Sequence, residues 1–197
     1  DDDDVDGILV QLPLPPQISP QVVAAAIYPA TDADALHPST SGRLLAGTAD
    51  IVSCTPLGVM AVLEEHGVEL EGAHAVVIGR SDIVGKPVSL LLQQANATVT
   101  MCHSRTRDLA VFCRMADVLV AAVGRPRMVK GDWIKPGAAV MDVGVTEVDG
   151  KLVGDVDFDA AQGIASLITP SRRGIGPMTI TMLLRNTLHA HRARVAG

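Results

Sequence analysis

Aromatic residues are scarce. One Trp, one Tyr and two Phe make up 2% of the 197 residues. A core must then be packed from Ala, Val, Leu and Ile, and stacking platforms for single-stranded nucleic acid are disfavoured. Positive charge is also in deficit: 16 Lys and Arg face 22 Asp and Glu, for a net charge of −6. That balance disfavours a phosphate-tracking nucleic-acid binder, though not a local basic pocket. No run of about 18 apolar residues occurs, so no membrane span is expected. No basic start leads into an apolar stretch, so no signal peptide is visible. Cysteine is limited to Cys54, Cys102 and Cys113, an odd number without a CxxC pair. They read as reduced cytosolic thiols, partly in the core, which points to a cytoplasmic protein. No Cys, His and carboxylate spacing indicates a metal site. The chain opens without Met on Asp1 to Asp4. That acidic run reads as a solvated end, and the abrupt start as that of a fragment.

What is present is globular: 48% hydrophobic and 19% charged residues. Val5 to Leu12 reads as a strand ended by Pro13, Pro15 and Pro16. Pro20 to Tyr28 reads as a short helix with Ser19 as N-cap. Residues 29–47 read as a polar, turn-rich loop carrying Asp32, Asp34 and His37. Thr55-Pro56 reads as a helix start, with a capping hydroxyl before the proline, and that helix runs to about His66.

Strands and helices then alternate. Strands are expected at 73–78, 97–102, 118–123, 138–143 and 165–168, and helices at 84–94, 108–115 and 157–163. A final amphipathic helix is expected at 177–194. Strands apolar throughout are the mark of a parallel sheet covered on both faces. The expected fold is therefore α/β, a Rossmann-like doubly wound parallel sheet with a partial second α/β domain. Residues 1–57 read as the partial lobe and 58–170 as the sheet domain. Residues 171–197 read as a cleft loop and a helix returning to the first lobe.

The stretch from Ala75 to Pro87 reads as strand, turn and helix start. Gly79 permits a tight turn, Gly85 permits close approach, and helix-start N–H groups can hold a pyrophosphate. Ser81 stands where the dinucleotide fingerprint has its middle glycine, and the last glycine is displaced by one residue. A strand-to-helix turn without a ligand also explains the two glycines. The second strand ends in Cys102-His103-Ser104-Arg105, without the acid that binds a ribose 2′-hydroxyl. Arg80, Ser104 and Arg105 suit a 2′-phosphate there, which favours NADP over NAD; ordinary surface residues are the alternative. Gly124 and Gly144 follow later strands on the edge where such sheets bind ligands. His37 and His103 read as loop or pocket-wall residues.

Several longer words are specific. They are Gly7 to Pro15, Thr31 to Pro38 followed by Gly42-Arg43-Leu44, Cys54-Thr55-Pro56 and Gly79 to Pro87. Cys102-His103-Ser104, Gly154-Asp155-Val156 and Gly174 to Thr179 complete the set. Together they resemble the methylenetetrahydrofolate dehydrogenase/cyclohydrolase (FolD) family over essentially the whole chain. The resemblance implies NADP-dependent oxidation of 5,10-methylenetetrahydrofolate to the methenyl form, followed by hydrolysis to 10-formyltetrahydrofolate. It implies a folate cleft between two domains and a homodimer formed through the cofactor domain. It makes Gln11 an active-site glutamine and Asp34 the acid holding the pterin, both catalytic and substrate-binding. Gly174, Gly176 and Pro177 are implied on the substrate side. Thr55, Gly79, Arg80, Ser81, Ile83, Val84, Gly85, Pro87, Ser104, Gly124, Val145 and Thr179 are implied around NADP.

The residue types agree with that chemistry. One carboxylate can accept both a ring N–H and an exocyclic amine. Hydride transfer needs mainly alignment, since the cofactor carries the chemistry.

Three departures stand out. The family's Tyr-x-x-x-Lys pair has no counterpart: the single tyrosine is Tyr28, and Asp32 lies four residues on. Lys86, Lys130, Lys135 and Lys151 match no catalytic position, which weakens the hydrolytic expectation most. Ser171-Arg172-Arg173-Gly174 replaces the usual Val-Pro-Gly-Gly. Those arginines either obstruct the cleft or attract a folate glutamate tail or a cofactor phosphate. Thr31 and Ala35 replace a Lys and a Gly around Asp34. Two alternatives follow: a non-catalytic NADP-binding or dimerising relative, and a Rossmann dehydrogenase for another small substrate.

Overall fold

The computed structural model describes residues 4–196. Of the expected solvated acidic end, Asp1 to Asp3 lie outside the described residues, and Asp4 is exposed. The elements in order are α1 (Pro20–Ala26), α2 (Pro38–Leu45), α3 (Cys54–Glu65), β1 (His74–Ile78), α4 (Gly85–Gln94) and β2 (Thr98–Cys102). There follow α5 (Leu109–Met115), β3 (Val118–Ala121), a 3₁₀ turn (Gly131–Trp133), β4 (Ala139–Asp142), β5 (Val145–Val148) and β6 (Lys151–Gly154). The chain ends through α6 (Phe158–Ala161), β7 (Leu167–Ile168) and α7 (Ile175–Ala196).

Five strands form one parallel sheet in the order β2-β1-β3-β4-β7. Alternate residues of its central strands feed two apolar layers. Val76, Ile78, Leu119, Ala121 and Val140 pack toward Cys113 of α5 and Ala161 of α6. Ala75, Val77, Val118, Val120 and Met141 pack toward Val59 and Leu63 of α3 and Val88 and Leu92 of α4. Covering both faces is why residues 75–78 of β1, 118–121 of β3 and 139–141 of β4 are uninterrupted apolar runs. Leu63 is fully buried, so truncation to Ala would cost about 2–5 kcal/mol. β2 is an edge strand and is correspondingly more exposed.

Four local expectations need correction. Val5 to Leu12 is not a strand. Its pairing is a single parallel bridge between Ile8 and Asp32, with Ile8 and Leu9 exposed, so no ladder extends it. The loop at 29–47 contains α2, which the run Ser-Thr-Ser-Gly concealed. His37 caps it by accepting from the Ser39 N–H at 3.1 Å, and Leu44 is its buried anchor. The hairpin of β5 and β6 lies outside the expected strands, and its Asp149-Gly150 turn has φ of 51° and 74°. That pair of left-handed residues is what a two-residue hairpin turn requires. Finally, α7 is not cleanly amphipathic. Ile175, Met182, Asn186 and Ala190 are buried, but Ile180, Leu184 and Leu188 are exposed.

Candidate active site

The site is built around the N-terminus of α3. Ser53 precedes the helix and makes no side-chain cap bond. The cap role expected of Thr55 is therefore absent, because Thr55 already lies inside the helix. Its hydroxyl instead meets that of Thr179 in the first turns of α7, at 3.0 Å. Gly58 lets these helices close up, since a Cβ there would lie 3.0 Å from the Met178 Cβ. The N–H of Cys54, the first residue of α3, donates to Asp34 Oδ1 at 2.9 Å. A carboxylate is favoured at a helix N-terminus by the exposed N–H groups and the helix dipole.

Asp34 is held from behind as well. Asn186 of α7 donates to the carbonyls of Ala33 at 2.9 Å and Val52 at 2.8 Å. The Cys54 thiol donates to the same Ala33 carbonyl at 3.4 Å. Burial, and then the charge of Asp34, push that thiol far above its ordinary range. It acts as a buried donor and not as a nucleophile. Asp32 is buried and accepts the His37 N–H at 2.6 Å, which fixes the loop bearing Asp34. Gln11 leaves the Ile8–Asp32 bridge in the same chain direction as Asp34. It is exposed, with its amide donating to the Leu12 carbonyl at 3.0 Å. Its neighbours Val10 and Leu12 line an apolar cavity of about 600 Å³ together with Leu14, Leu36, Ile83 and Met101; Gln11 does not.

The second half of the site is the carboxyl edge of the sheet. The strand order changes direction between β1 and β3, and such a switch point opens a ligand crevice. The turn after β1 is tightly built there. Gly79 has φ of +126°, and a Cβ on it would lie 2.3 Å from the Ala122 carbonyl oxygen. A Cβ on Gly85 would lie 2.3 Å from the Gly79 carbonyl oxygen. No other residue fits at either position.

Ser81 has a structural task in the turn. Its hydroxyl accepts the N–H groups of Val84 at 3.2 Å and Gly85 at 3.3 Å. These N–H groups, expected to face a pyrophosphate, are thus partly satisfied within the chain. Ile83 is exposed, while Pro87 is buried in the first turn of α4. Arg80, Ser104 and Arg105 are exposed at the ends of β1 and β2. The two turns are tied by the Gly79 N–H donating to the Cys102 carbonyl at 2.9 Å. Gly124 and Val145 are exposed on the same edge, beyond β3 and β4.

The approach to α7 completes the edge. Thr169, just past β7, accepts the Asp142 N–H at 2.8 Å. Gly174 is forced by the Pro170 carbonyl oxygen, 2.1 Å from a would-be Cβ. A Cβ on Gly176 would meet open space, and Pro177 is exposed. Arg172 and Arg173 are exposed, and Arg173 takes a left-handed φ of 61°. Ala35 likewise has φ of 55°. Two of the departures from the family pattern thus fall where the backbone has kept a glycine-like conformation.

Two residues beyond the sequence expectations support this edge, Asp142 and Asp155. Asp155 belongs to the family word Gly154-Asp155-Val156, and Asp142 carries no local sequence signal. Among the described residues no helix is long and apolar enough to cross a membrane. No cluster of His, Cys, Asp and Glu there could hold a metal ion.

Comparison with known proteins agrees with this architecture. The family model for the tetrahydrofolate dehydrogenase/cyclohydrolase NAD(P)-binding domain matches residues 53–195. The Bifunctional protein FolD 2 of Geobacter sulfurreducens is 60% identical over 194 residues, 98% of this chain and 67% of that protein. The crystal structure of the FolD methylenetetrahydrofolate dehydrogenase/cyclohydrolase from Campylobacter jejuni is 45% identical. It superposes with a TM-score of 0.95 over 98% of this chain and 69% of that one. The Trypanosoma brucei dehydrogenase-cyclohydrolase, solved with NADP and an inhibitor, is 46% identical with a TM-score of 0.92. That match covers 98% of this chain and 68% of that one.

Proposed function

The chain belongs to the tetrahydrofolate dehydrogenase/cyclohydrolase family, and from that premise we propose that it oxidises 5,10-methylenetetrahydrofolate to the 5,10-methenyl form with NADP. A hydride leaves the methylene carbon with its electron pair, and the remaining methenyl group is cationic. NADP, when bound, supplies the hydride acceptor. Addition of water to the methenyl carbon, with ring opening and release of one proton, then gives 10-formyltetrahydrofolate.

The observation that carries this reading is the convergence at the start of α3. Asp34 is anchored on Cys54, one residue before the Thr55–Thr179 hydroxyl pair. Anchoring uses one lone-pair site of Oδ1 and leaves the others to accept the ring N–H and exocyclic amine of a pterin. Gln11 takes the adjacent position in the cleft. Gly174, Gly176 and Pro177 take the substrate side, where Gly176 leaves open space. Around NADP, Gly79 and Gly85 permit the close approach, with Ile83, Val84 and Pro87 shaping the turn. The Ser81 hydroxyl keeps its proton free to donate. Gly124, Val145, Thr55 and Thr179 line the remaining wall. Arg80 and Ser104 take the 2′-phosphate. In the same reading the protein is cytoplasmic and forms a homodimer through the cofactor domain. Leu152, exposed on β6 of the hairpin, is an apolar side chain available to that contact.

The test is NADPH formation from methylenetetrahydrofolate by the purified 197-residue chain, beside calorimetric titration with NADP. Turnover with NADP binding is the expected result. Binding without turnover would favour a cofactor-binding relative without catalysis. Failure to bind either nicotinamide cofactor would overturn the reading.

A further inference from the structure

We infer that Asp155 is a positioning residue for the cofactor crevice, with Asp142 as its support: neither lies in the crevice, yet together they set the turn on which its β3 side is built. The inference rests on the NADP reading of that crevice.

The turn at 122–125 follows β3. Its Ala122 N–H donates to the Ile78 carbonyl at 2.8 Å, and its Ala122 carbonyl is the atom that leaves no room for a Cβ on Gly79. It therefore abuts the glycine turn from the opposite side of the switch point. Three consecutive N–H groups of this turn converge on one carboxylate. Asp155 Oδ2 accepts from Val123 at 2.6 Å and Gly124 at 3.1 Å, and Oδ1 accepts from Arg125 at 2.6 Å. Successive N–H groups around a left-handed residue form an anion-holding concavity. Gly124, with φ of 64°, is that residue. Here the anion is a side chain of the protein itself, delivered from the end of β6.

Asp142, the last residue of β4, holds that side chain's backbone. Its Oδ1 accepts the Asp155 N–H at 2.9 Å and its Oδ2 accepts the Val156 N–H at 3.2 Å. Its own N–H runs to Thr169 beside β7. The ends of β3, β4, β6 and β7 are thereby joined through two carboxylates. Space is reserved for both. A Cβ on Gly144 would lie 1.9 Å from Asp155 Oδ2, and one on Gly154 would lie 1.9 Å from Asp142 Oδ2.

The arrangement is costly as pure scaffold. Asp142 and Asp155 are 2% and 1% exposed, and among the described residues neither forms an ion pair. Burying carboxylates without a cation is unfavourable unless hydrogen bonds compensate. Five backbone N–H groups do so here, and all five belong to the segments that shape this edge. Burial, reinforced by the charge of Asp155, also pushes Asp142 up to about 7. A carboxylate so placed is poorly chosen for stability, which agrees with a role in geometry.

The test compares the wild-type chain with Asp155→Asn and Gly144→Ala. The asparagine keeps one acceptor oxygen and loses the other. The alanine keeps the carboxylate but displaces it. Calorimetry reads NADP and tetrahydrofolate separately, and amide hydrogen exchange reads residues 123–125 without ligand. The expected result for both variants is NADP affinity lower by about tenfold or more, the scale of one charge-assisted hydrogen bond. Tetrahydrofolate affinity should stay within about twofold on the same scale, with faster exchange confined to 123–125. Wild-type NADP affinity in a folded variant, or equal losses for both ligands, would overturn the inference. If Asp155→Asn does not fold, Gly144→Ala decides by the same criteria. If the wild-type chain itself fails to bind NADP, the cofactor reading fails. Protection at 123–125 would still show whether the carboxylate holds the turn.

Discussion

The backbone N–H of Cys54 donates to Asp34 Oδ1 at 2.9 Å, so the acid proposed to hold the substrate is seated on the first residue of α3. Two segments twenty residues apart in sequence are locked at the mouth of the site by this bond. Asp34→Asn keeps an oxygen for Cys54 but loses the charge and half the acceptor capacity. Tetrahydrofolate affinity should fall by about 1.5–3 kcal/mol, the worth of hydrogen bonding to a charged group. NADP affinity should not change. Paired calorimetric titrations measure this, and a parallel loss of NADP binding would contradict the division of the site.

Arg80 is exposed at the turn after β1 and makes no ion pair among the described residues. Arg80→Ala should weaken NADP by about tenfold, again the scale of one charge-assisted contact, and NAD much less. Dissociation constants for both cofactors give the answer. Equal losses would mean that Arg80 does not meet the 2′-phosphate.

Arg173 holds a left-handed φ of 61° at the entry to α7. A side chain in that region costs about 1–2 kcal/mol, part of which glycine returns through its freer unfolded state. Arg173→Gly should raise stability by about 0.5–1 kcal/mol, seen as a higher urea midpoint at constant slope. An unchanged midpoint would mean that the turn relaxes in solution.

Asp142 makes stability depend on pH in an unusual direction. Its carboxyl rises from 3.8 to about 7 on folding, so between those values the folded state binds the extra proton. Stability from this group is present below the unfolded value and falls as pH rises toward the folded one. Asp142→Asn removes that dependence. The stability of the wild-type chain relative to the variant should therefore decline from pH 4 to pH 7 and level off above. Denaturant midpoints across that range measure it, and a flat difference would mean that Asp142 is ionised throughout.

The sequence by itself determined the doubly wound sheet, because strands buried on both faces must be apolar at every position. Residues 75–78, 118–121 and 139–141, alternating with helical segments, carry that reading. It marked the strand-to-helix glycine turn, since Gly79 permits a tight turn and Gly85 a close approach; that no side chain fits at either position was decided by the carbonyls of Ala122 and Gly79. Asp34 and Gln11 were legible as words with a resemblance, not as geometry. The tertiary structure alone decided the rest. Residues 5–12 have strand-like composition, but pairing needs a partner, and among the described residues only the short segment 31–33 offers one. α2 has weak helix formers and exists through its His37 cap and the burial of Leu44. The hydroxyl of Thr55, a plausible cap by sequence, turned out to bridge to Thr179, 124 positions away. Asp142 and Asp155 are separated by β5 and β6, so only the hairpin's return past β4 brings one carboxylate to the other's backbone. Hydrogen bonds between distant segments depend on where the chain returns, and local composition carries no record of that.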